Sequence, residues 1–230
     1  MISIIIPAYN EEGNIKRIDS ELTPVLKALK EEYEIIIVND GSTDKTEEEA
    51  RNLKDKNVRL VNHARNMNLG MAVRTGIKEA RGNVIVMYEA DFTWNPEYIK
   101  DLIRELHNGY DCVIGSHYHK EGKISYYNYR IFLSQAVNKM YQIILGEKIS
   151  AMSSLFRAYR SEEIKKLNFT TTGFNINAEI LIKMLRNNAR VKEIPVTLTK
   201  RKFGVSKISV PKAILNHLKL LFSLLLWRMK

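Results

Sequence analysis

The sequence has a single cysteine and no hydrophobic run of transmembrane length. The first argues against a protein stabilised by disulfides, and the second against a bilayer-crossing helix. Cys112 has no second cysteine to pair with, which excludes an internal disulfide and fits a reducing compartment. The apolar residues 2–6 follow no basic segment, so they favour a strand over a signal peptide. Residues 220–227 form an uncharged apolar run that is far below the roughly 18 residues needed to cross a bilayer.

Acidic residues are missing from residues 194–230, which contain eight Lys and Arg. The net charge of +10 is therefore concentrated at this end of the chain, and residues 1–193 carry only +2. Such a concentration predicts an anionic partner, which can be phosphate groups, an anionic membrane surface or nucleic acid. No nucleic-acid-binding motif accompanies these bases, so we do not expect nucleic acid as a partner.

Short apolar strands alternate with helices along the chain. Strands are predicted at residues 2–6, 34–38, 58–61, 84–88, 112–114, 155–159 and 191–198, and helices at 14–32, 44–54, 69–81, 96–108, 126–145, 175–188 and from 210. This alternation predicts an α/β fold with a mostly parallel sheet and helices on both of its faces.

Two of the predicted helices are amphipathic, and either could lie against another surface. The helix at 126–145 is rich in aromatic residues, and the helix from 210 is rich in leucine and contains Trp227. Core packing is one interpretation of the second helix. Its leucines, Trp227 and flanking bases fit a helix in a membrane interface slightly better.

An acidic pair follows the fourth predicted strand. Glu89 and Asp91 are two positions apart, so their side chains point to the same side of the chain at the carboxyl end of the strand. Open α/β sheets bind ligands at that end. Two oxygen ligands there suit Mg²⁺ or Mn²⁺ holding a diphosphate, although an ordinary acidic loop is the alternative.

Loops after the other strands carry further candidates. Tyr9 can stack on a base, and Asp40 at the tip of the second strand can hydrogen-bond a base or a ribose. The loop at 65–70 ends at a helix amino terminus, which is a natural anion site. Each loop alone is also compatible with ordinary turn and cap chemistry.

Four segments in this order are more specific than any one of them: IPAYNEE at 6–12, VNDGSTD at 38–44, NMNLGMAVRTG at 66–76 and EAD at 89–91. They resemble the family-two inverting glycosyltransferases, which have the Rossmann-like GT-A fold. GSHY at 115–118, FRAYR at 156–160 and RKFGVSK at 201–207 extend the resemblance to the subgroup of dolichyl-phosphate mannose synthases and related polyprenyl-phosphate glycosyltransferases. The absence of a glycine-rich loop after the first strand argues against a sugar-nucleotide pyrophosphorylase.

The resemblance implies a role for each matching residue. The donor nucleotide sugar would be bound by Pro7, Tyr9, Glu11, Asp40, Glu89 and Asp91, and the divalent metal by Glu89 and Asp91. The acceptor and its phosphate would be bound by His117, Ser154, Arg201, Ser206 and Lys207. Asp91, Arg201 and Lys207 would be catalytic.

The expected enzyme transfers a sugar from a GDP- or UDP-linked donor to a polyprenyl phosphate. It would be a peripheral protein on the cytoplasmic face of a membrane, with Mg²⁺ or Mn²⁺ as cofactor. We expect a GT-A domain at residues 1–208, divided into a nucleotide-binding half at 1–115 and an acceptor half at 116–208, followed by an interfacial helix at 209–230. The oligomeric state and the donor's base and sugar stay open.

Departures from the family pattern bear on the mechanism. Glu89 replaces an aspartate, Asn68 stands where the family has glycine, and His117 replaces an arginine by a group that titrates near neutrality. Ala151 replaces an acceptor-side aspartate. Because a phosphate monoester is largely dianionic at neutral pH, it attacks without a base, and Ala151 favours a phosphate acceptor.

Two alternatives remain. A glycosyltransferase acting on a sugar hydroxyl normally needs a general base, which Glu179 could supply in place of residue 151. A catalytically silent nucleotide-sugar-binding homologue is the other.

Overall fold

The computed structural model describes residues 1–207 and 209–228, with side chains as far as Leu225. In the amino-terminal half, strands and helices alternate as predicted. The strands are β1 (Ile2–Ala8), β2 (Tyr33–Asn39), β3 (Val58–Asn62), β4 (Val84–Met87) and β5 (Cys112–Ser116). The helices are α1 (Thr23–Ala28), α2 (Thr46–Arg51), α3 (Leu69–Glu79) and α4 (Tyr98–His107).

The carboxyl-terminal half is more irregular. It contains the strands β6 (Lys123–Ile124), β7 (Arg157–Arg160), β8 (Val191–Pro195) and β9 (Thr197–Leu198). Its helices are α5 (Tyr129–Leu145), α6 (Ser161–Lys165), α7 (Ile176–Arg186) and α8 (Val210–Arg228). Of these elements, β6 and α6 were not predicted, because two- and five-residue segments carry too little periodic signal.

The central sheet has seven strands in the order β3-β2-β1-β4-β7-β5-β8. Its pairs are parallel except for β7, which runs antiparallel to β4 and β5. This confirms the predicted α/β fold with a mostly parallel sheet. The strand order changes direction between β1 and β4, and their carboxyl ends border the crevice in which such sheets bind ligands.

The core lies on both faces of the sheet, since β1 and β2 are buried along almost their whole length. Alternate residues point to opposite faces, so Ile4 packs with one cluster and Ile5 with the other. On the second face, α3 approaches β1 so closely that a Cβ on Gly76 would collide with the side chain of Ile5. Sheet and helices therefore hold the loops at the carboxyl ends of the strands in fixed positions.

Two predicted elements differ from the structure. Instead of one helix over residues 14–32, a π-helical turn (Ile18–Leu22) leads into the short α1. The strand predicted over 191–198 is divided at Pro195 into β8 and β9, and β9 pairs with β6 in a separate two-stranded sheet. The predicted domain boundaries stay predictions, and residues 208, 229 and 230 lie outside the described part.

The helix α8 packs on α5 with one side and exposes the other. The hydroxyl of Tyr141 on α5 lies 3.0 Å from Nδ1 of His217, and Leu221 and Leu224 are buried in the core. Large apolar side chains stay exposed on the two helices, namely Tyr129, Phe132, Met140 and Ile143 on α5 and Leu215, Leu218, Phe222 and Leu225 on α8. Within residues 1–207 and 209–228, no helix combines the length and hydrophobicity that a bilayer crossing requires.

Candidate active site

A cavity of about 470 Å³ lies at the carboxyl ends of β1, β2, β4 and β5. The fold brings all the predicted site residues to its wall: Pro7, Tyr9, Glu11, Asp40, Glu89, Asp91, His117, Ser154, Arg201, Ser206 and Lys207. They come from segments as far apart in sequence as β1 and the loop before α8. Their position is thus established, while their roles stay predictions.

At one end of the cavity, the loops after β1 and β2 are connected by hydrogen bonds from backbone amides to side-chain oxygens of the other loop. The amide of Asn10 donates to Oγ of Ser42 at 3.0 Å, and the amide of Thr43 donates to Oδ1 of Asn10 at 2.8 Å. Asn10 has a positive φ of 54°, which asparagine tolerates better than most residues. These reciprocal bonds fix the backbone on either side of Tyr9 and Asp40.

Asp40 is held in place by the loop that follows β3. Its side chain is 4% exposed, and its Oδ1 accepts a hydrogen bond from the amide of Met67 at 2.9 Å and lies 2.7 Å from Nδ1 of His63. This loop passes directly over Gly41, where a Cβ would collide with the backbone of Arg65. The φ of Gly41 is +69°, so both the space and the backbone conformation require glycine.

The acidic pair lies in the middle of the cavity. Nε1 of Trp94 donates to Oε1 of Glu89 at 3.2 Å, and the amide and hydroxyl of Thr93 donate to Oδ1 of Asp91 at 3.1 and 3.0 Å. Nη2 of Arg201 pairs with Oδ2 of Asp91 at 2.5 Å. From the far side, Arg17 donates to the carbonyl of Asp91 at 3.1 Å and fixes the loop.

The donor set of this pair fits a divalent cation with oxygen ligands. Burial, together with the neighbouring Asp91 carboxylate, raises the pKa of Glu89 well above its usual range. Two neighbouring carboxylates repel each other, and a bound cation reduces this repulsion. The described part of the chain has no cluster of three or more His, Cys, Asp or Glu side chains that could enclose a metal. The pair would therefore share the ion with ligands from the substrate or water.

The basic segment before α8 folds back over the acidic pair. Both the amide and the hydroxyl of Thr199 donate to the carbonyl of Thr93 at 2.9 Å, and the carbonyl of Phe203 accepts from Nδ2 of Asn14 at 3.4 Å. Arg201 thereby reaches Asp91, while its Nη1 is buried without a hydrogen-bond partner. Arg201 lines the cavity, and its guanidinium charge favours an anionic ligand there.

His117 differs from the sequence-based expectation in its ionisation. Burial lowers its pKa from 6.5 to about 4, so the ring is neutral at physiological pH and does not titrate near neutrality as predicted. The ring lies 5.2 Å from that of Trp94 and 3.9 Å from that of Tyr118, between centroids. It can contribute a hydrogen bond and a ring face to the cavity, but no positive charge.

Sequence reasoning missed a second arginine in the cavity wall. Arg130 lies in the first turn of α5, lines the cavity, and has a buried Nη1 without a partner. Ser134 lines the cavity one turn further on the same face of the helix. The only sign of Arg130 in the sequence is a cation within a mainly apolar helix. The apolar pattern of that helix indicates a surface for packing or for a membrane, so the cation was not considered.

The acceptor-side segment carries no base at residue 151. Ala151 lines the cavity, its amide donates to Oε1 of Glu193 at 2.9 Å, and its carbonyl accepts from the fully buried Arg157. Glu179, the acid considered as a substitute, is hydrogen-bonded to a different segment. It is not in the cavity wall, and its Oε2 accepts hydrogen bonds from the amides of Thr170 and Thr171 at 3.2 and 2.8 Å.

Two curated relatives carry names that refer to lipid phosphates. The chain is 36% identical over 230 residues to "Dolichol-phosphate mannosyltransferase" of Pyrococcus furiosus, a match that covers 98% of this chain and 64% of the relative. It is 31% identical over 219 residues to "Undecaprenyl-phosphate 4-deoxy-4-formamido-L-arabinose transferase" of Proteus mirabilis, with coverages of 93% and 64%. The chain thus spans less than two thirds of either relative.

Solved structures show the same fold. The crystal structure of glucosyl-3-phosphoglycerate synthase from Mycobacterium tuberculosis in complex with Mn²⁺, UDP and phosphoglyceric acid superposes with a TM-score of 0.74. The match has 19% sequence identity and covers 99% of this chain and 78% of that one. At this identity the likeness concerns the fold, and it confirms the GT-A architecture.

The family follows from the sequence itself. The profile described as "Glycosyl transferase family 2" matches residues 3–167, which is most of the chain and includes the loops after β1 and β2 and the acidic pair. The resemblance predicted from the motifs is confirmed, and the chain belongs to glycosyl transferase family 2.

Proposed function

We propose that the chain is a metal-dependent inverting glycosyltransferase that moves a sugar from a GDP- or UDP-linked donor to a polyprenyl phosphate at a membrane surface. One observation carries the proposal. A single cavity of about 470 Å³ is lined by Tyr9 and Asp40, by the acidic pair, and by the cations Arg130, Arg201 and Lys207. The names of the two relatives and the UDP and Mn²⁺ of the structural neighbour support the same chemistry.

The donor is oriented by groups that the loops already hold rigidly. Tyr9 and Pro7 offer apolar faces to the base, and Asp40 offers a carboxylate to its polar edge. Glu89 and Asp91 would hold Mg²⁺ or Mn²⁺, which supplies positive charge to the leaving diphosphate when it is bound. In this proposal the anomeric carbon of the donor would lie beyond the acidic pair, towards the acceptor half of the cavity.

The cations of the basic segment stabilise the departing charge. Arg201 is already fixed by Asp91 and keeps Nη1 for a phosphate oxygen, and Lys207 lines the same wall. Because their charges are in place before the reaction, they stabilise the developing diphosphate with little reorganisation. Leaving-group departure and attack from the opposite face then occur in one displacement, with inversion at the anomeric carbon.

The acceptor half favours a nucleophile that is already charged. Ala151 cannot take a proton, Glu179 on α7 is hydrogen-bonded to the amide of Thr171 and does not line the cavity, and His117 is held neutral by burial. A phosphate monoester needs none of these groups as a base, since its second pKa is near 6. Arg130, with a free Nη1, supplies positive charge where such a phosphate would enter.

The exposed apolar surface suits an acceptor whose tail lies in a bilayer. Phe132 on α5 and Phe222 on α8 are 70% and 62% exposed. Amphipathic helices of this kind bind the interface of a membrane, and nearby bases add attraction to anionic lipids. We place the enzyme on the cytoplasmic face, in line with a single buried thiol and no disulfide.

The test is a transfer assay with the purified chain. Mg²⁺ or Mn²⁺, a panel of GDP- and UDP-sugars, and vesicles containing a polyprenyl phosphate are compared with simple sugar acceptors. We expect transfer to the polyprenyl phosphate, with an inverted anomeric configuration.

The variant Asp91→Asn should lose roughly 100-fold or more of this activity, because it removes one of the two acidic ligands. Asp101→Asn, on the exposed side of α4, is the matched control and should be fully active. Transfer to sugar hydroxyls alone would support the hydroxyl-acceptor alternative. Donor binding without any transfer would support the silent homologue.

A further inference from the structure

His63 connects the predicted base-binding carboxylate to the helix behind it. Its Nδ1 lies 2.7 Å from Oδ1 of Asp40, and its Nε2 lies 2.9 Å from Oγ1 of Thr75 on α3. Because a carboxylate only accepts hydrogen bonds, Nδ1 is the protonated nitrogen and donates to Asp40. The His63 side chain is 9% exposed, so both of these bonds are largely shielded from water.

This contact leaves the two oxygens of Asp40 in different situations. Oδ1 accepts from His63 and also from the amide of Met67 at 2.9 Å, which fills both of its lone pairs. Within the described part of the chain, no hydrogen bond is formed to Oδ2. Since Asp40 lines the cavity, it presents a single oxygen to a bound base.

We propose that His63 is a positioning residue that makes Asp40 a one-oxygen acceptor, and that this arrangement selects a uridine over a guanosine donor. The inference rests on the proposed function, in which Asp40 faces the base of a nucleotide sugar. It adds the identity of the base, which the motifs alone leave open.

The hydrogen-bonding edges of the bases give the chemical reason. Guanine presents two adjacent N–H donors, and a carboxylate matches them best with both oxygens at once. Uracil presents one ring N–H between two carbonyl groups, and a single oxygen satisfies it. Cytosine has no ring N–H at that position.

A neighbouring amide complements the carbonyl groups of uracil. Asn66 lines the same cavity, and its Oδ1 already accepts from the amide of Asn68 at 3.2 Å. Its side-chain nitrogen is therefore the group left to donate to a carbonyl oxygen of the base. One acceptor from Asp40 and one donor from Asn66, both in the wall of the same cavity, match the edge of uracil in kind.

The experiment is a calorimetric titration of the full chain with UDP, GDP and pyrophosphate in excess Mg²⁺. The variants are His63→Ala, which removes the donor to Asp40, and His63→Asn, whose side-chain nitrogen stands near the place of Nδ1. His107→Ala, at the exposed end of α4, is the matched control. Melting temperatures show that each variant is folded.

We expect the unmodified chain to bind UDP at least about tenfold more tightly than GDP, in keeping with one charged hydrogen bond. His63→Ala should lose about tenfold in UDP affinity and most of the preference over GDP, with pyrophosphate affinity unchanged. His63→Asn should restore the preference, and His107→Ala should leave it intact.

Each contrary result has its own meaning. Equal or tighter binding of GDP by the unmodified chain overturns the selection of uridine. A folded His63→Ala protein with full UDP affinity overturns the positioning role. In both of these cases a nucleotide still binds, so the proposed function stands and only the inference fails. If the unmodified chain binds pyrophosphate but neither nucleotide, the proposed function fails as well.

Discussion

Two arginines in the cavity wall differ in what they contact. Arg130 and Arg201 each keep one guanidinium nitrogen without a partner, but only Arg201 touches the acidic pair. Arg130 reaches the cavity from α5, on the side where the exposed apolar helices lie. We therefore propose that the two arginines bind different substrates, with Arg201 on the donor diphosphate and Arg130 on the acceptor phosphate.

This division predicts a selective defect for Arg130→Met. Loss of one charged hydrogen bond should raise the acceptor KM roughly tenfold, while the donor KM stays within about twofold of the original value. Steady-state kinetics with a short-chain polyprenyl phosphate measures both constants. Lys139→Met, an exposed cation on the same helix, is the matched control. A rise in the donor KM alone would contradict the assignment.

The sequence indicated the residues that carry a recognisable motif, and it missed those that act through a neighbour. Glu89 and Asp91 were predicted because they follow a strand of apolar residues, and the fold does place them in the cavity. His63 gave no such signal, since its contact with Asp40 depends on how the loop after β3 crosses Gly41. The predicted ionisation of His117 near neutral pH was wrong, because the burial of this residue among aromatic rings cannot be inferred from its neighbours in sequence.

Among the secondary-structure elements, α7 shows how a helix can fix a distant loop. Glu179 in its first turn is 5% exposed and accepts hydrogen bonds from the amides of residues 170 and 171, and Lys183 one turn later pairs with it at 2.7 Å. The loop that it holds contacts α3, where the amide of Gly70 donates to the carbonyl of Thr172 at 2.8 Å. Hydrogen bonds thus connect Glu179, through this loop, to the start of α3 in the cavity wall.

The variant Glu179→Gln should lower the free energy of unfolding by about 2 kcal/mol at pH 7. Burial alone would raise the pKa of Glu179, but bonds from Lys183 and the residue 170–171 loop outweigh it and lower the pKa from 4.5 to about 2. The stabilisation is therefore complete above pH 4.5 and is lost as the pH falls from 4.5 towards 2.

Urea unfolding at pH 7 and at lower pH values measures this difference. The difference in free energy of unfolding between Glu179→Gln and the original chain should become smaller below pH 4.5. Glu97→Gln, whose carboxylate is exposed on the surface, should change stability by less than about 0.5 kcal/mol at either pH. A constant gap across this pH range would show that the charge of Glu179 contributes nothing.

Element boundaries were less predictable than the elements themselves. The alternation of apolar strands and helices indicated five strands of the amino-terminal half correctly, because burial on both faces leaves a clear apolar run. It could not show that β7 runs antiparallel between β4 and β5, since strand direction depends on the route of the chain. The π-helical turn before α1 was equally hidden, because its residues also fit an ordinary helix.

For the whole molecule, charge and apolar surface lie at the same end of the chain. Residues 194–230 carry eight bases and no acid, and α8 adds exposed Leu218, Phe222 and Leu225. The same helix buries Leu221 and Leu224 in the core. Removing α8 would therefore disturb folding as well as any membrane contact, so point substitutions on its exposed side are the sharper test.

A triple variant, Phe132→Ser, Ile143→Ser and Phe222→Ser, should bind anionic vesicles at least about tenfold more weakly. Each apolar side chain that enters a membrane contributes roughly 1.5 kcal/mol or more, so tenfold is the loss expected if only one of the three enters. These side chains are 70%, 68% and 62% exposed, so the fold should not depend on them. Co-sedimentation with vesicles measures the binding. Met67→Ser, an exposed apolar residue outside the two helices, should bind as the original chain does.

Salt separates the two contributions to this binding. Attraction between the bases and anionic lipid weakens as the ionic strength rises, whereas burial of apolar side chains does not. The original chain should therefore keep part of its vesicle binding at 1 M NaCl, and the triple variant should lose this salt-resistant part. If the triple variant bound as tightly as the original chain at both salt concentrations, α5 and α8 would not be the docking surface. The acceptor would then have to reach Arg130 by another route.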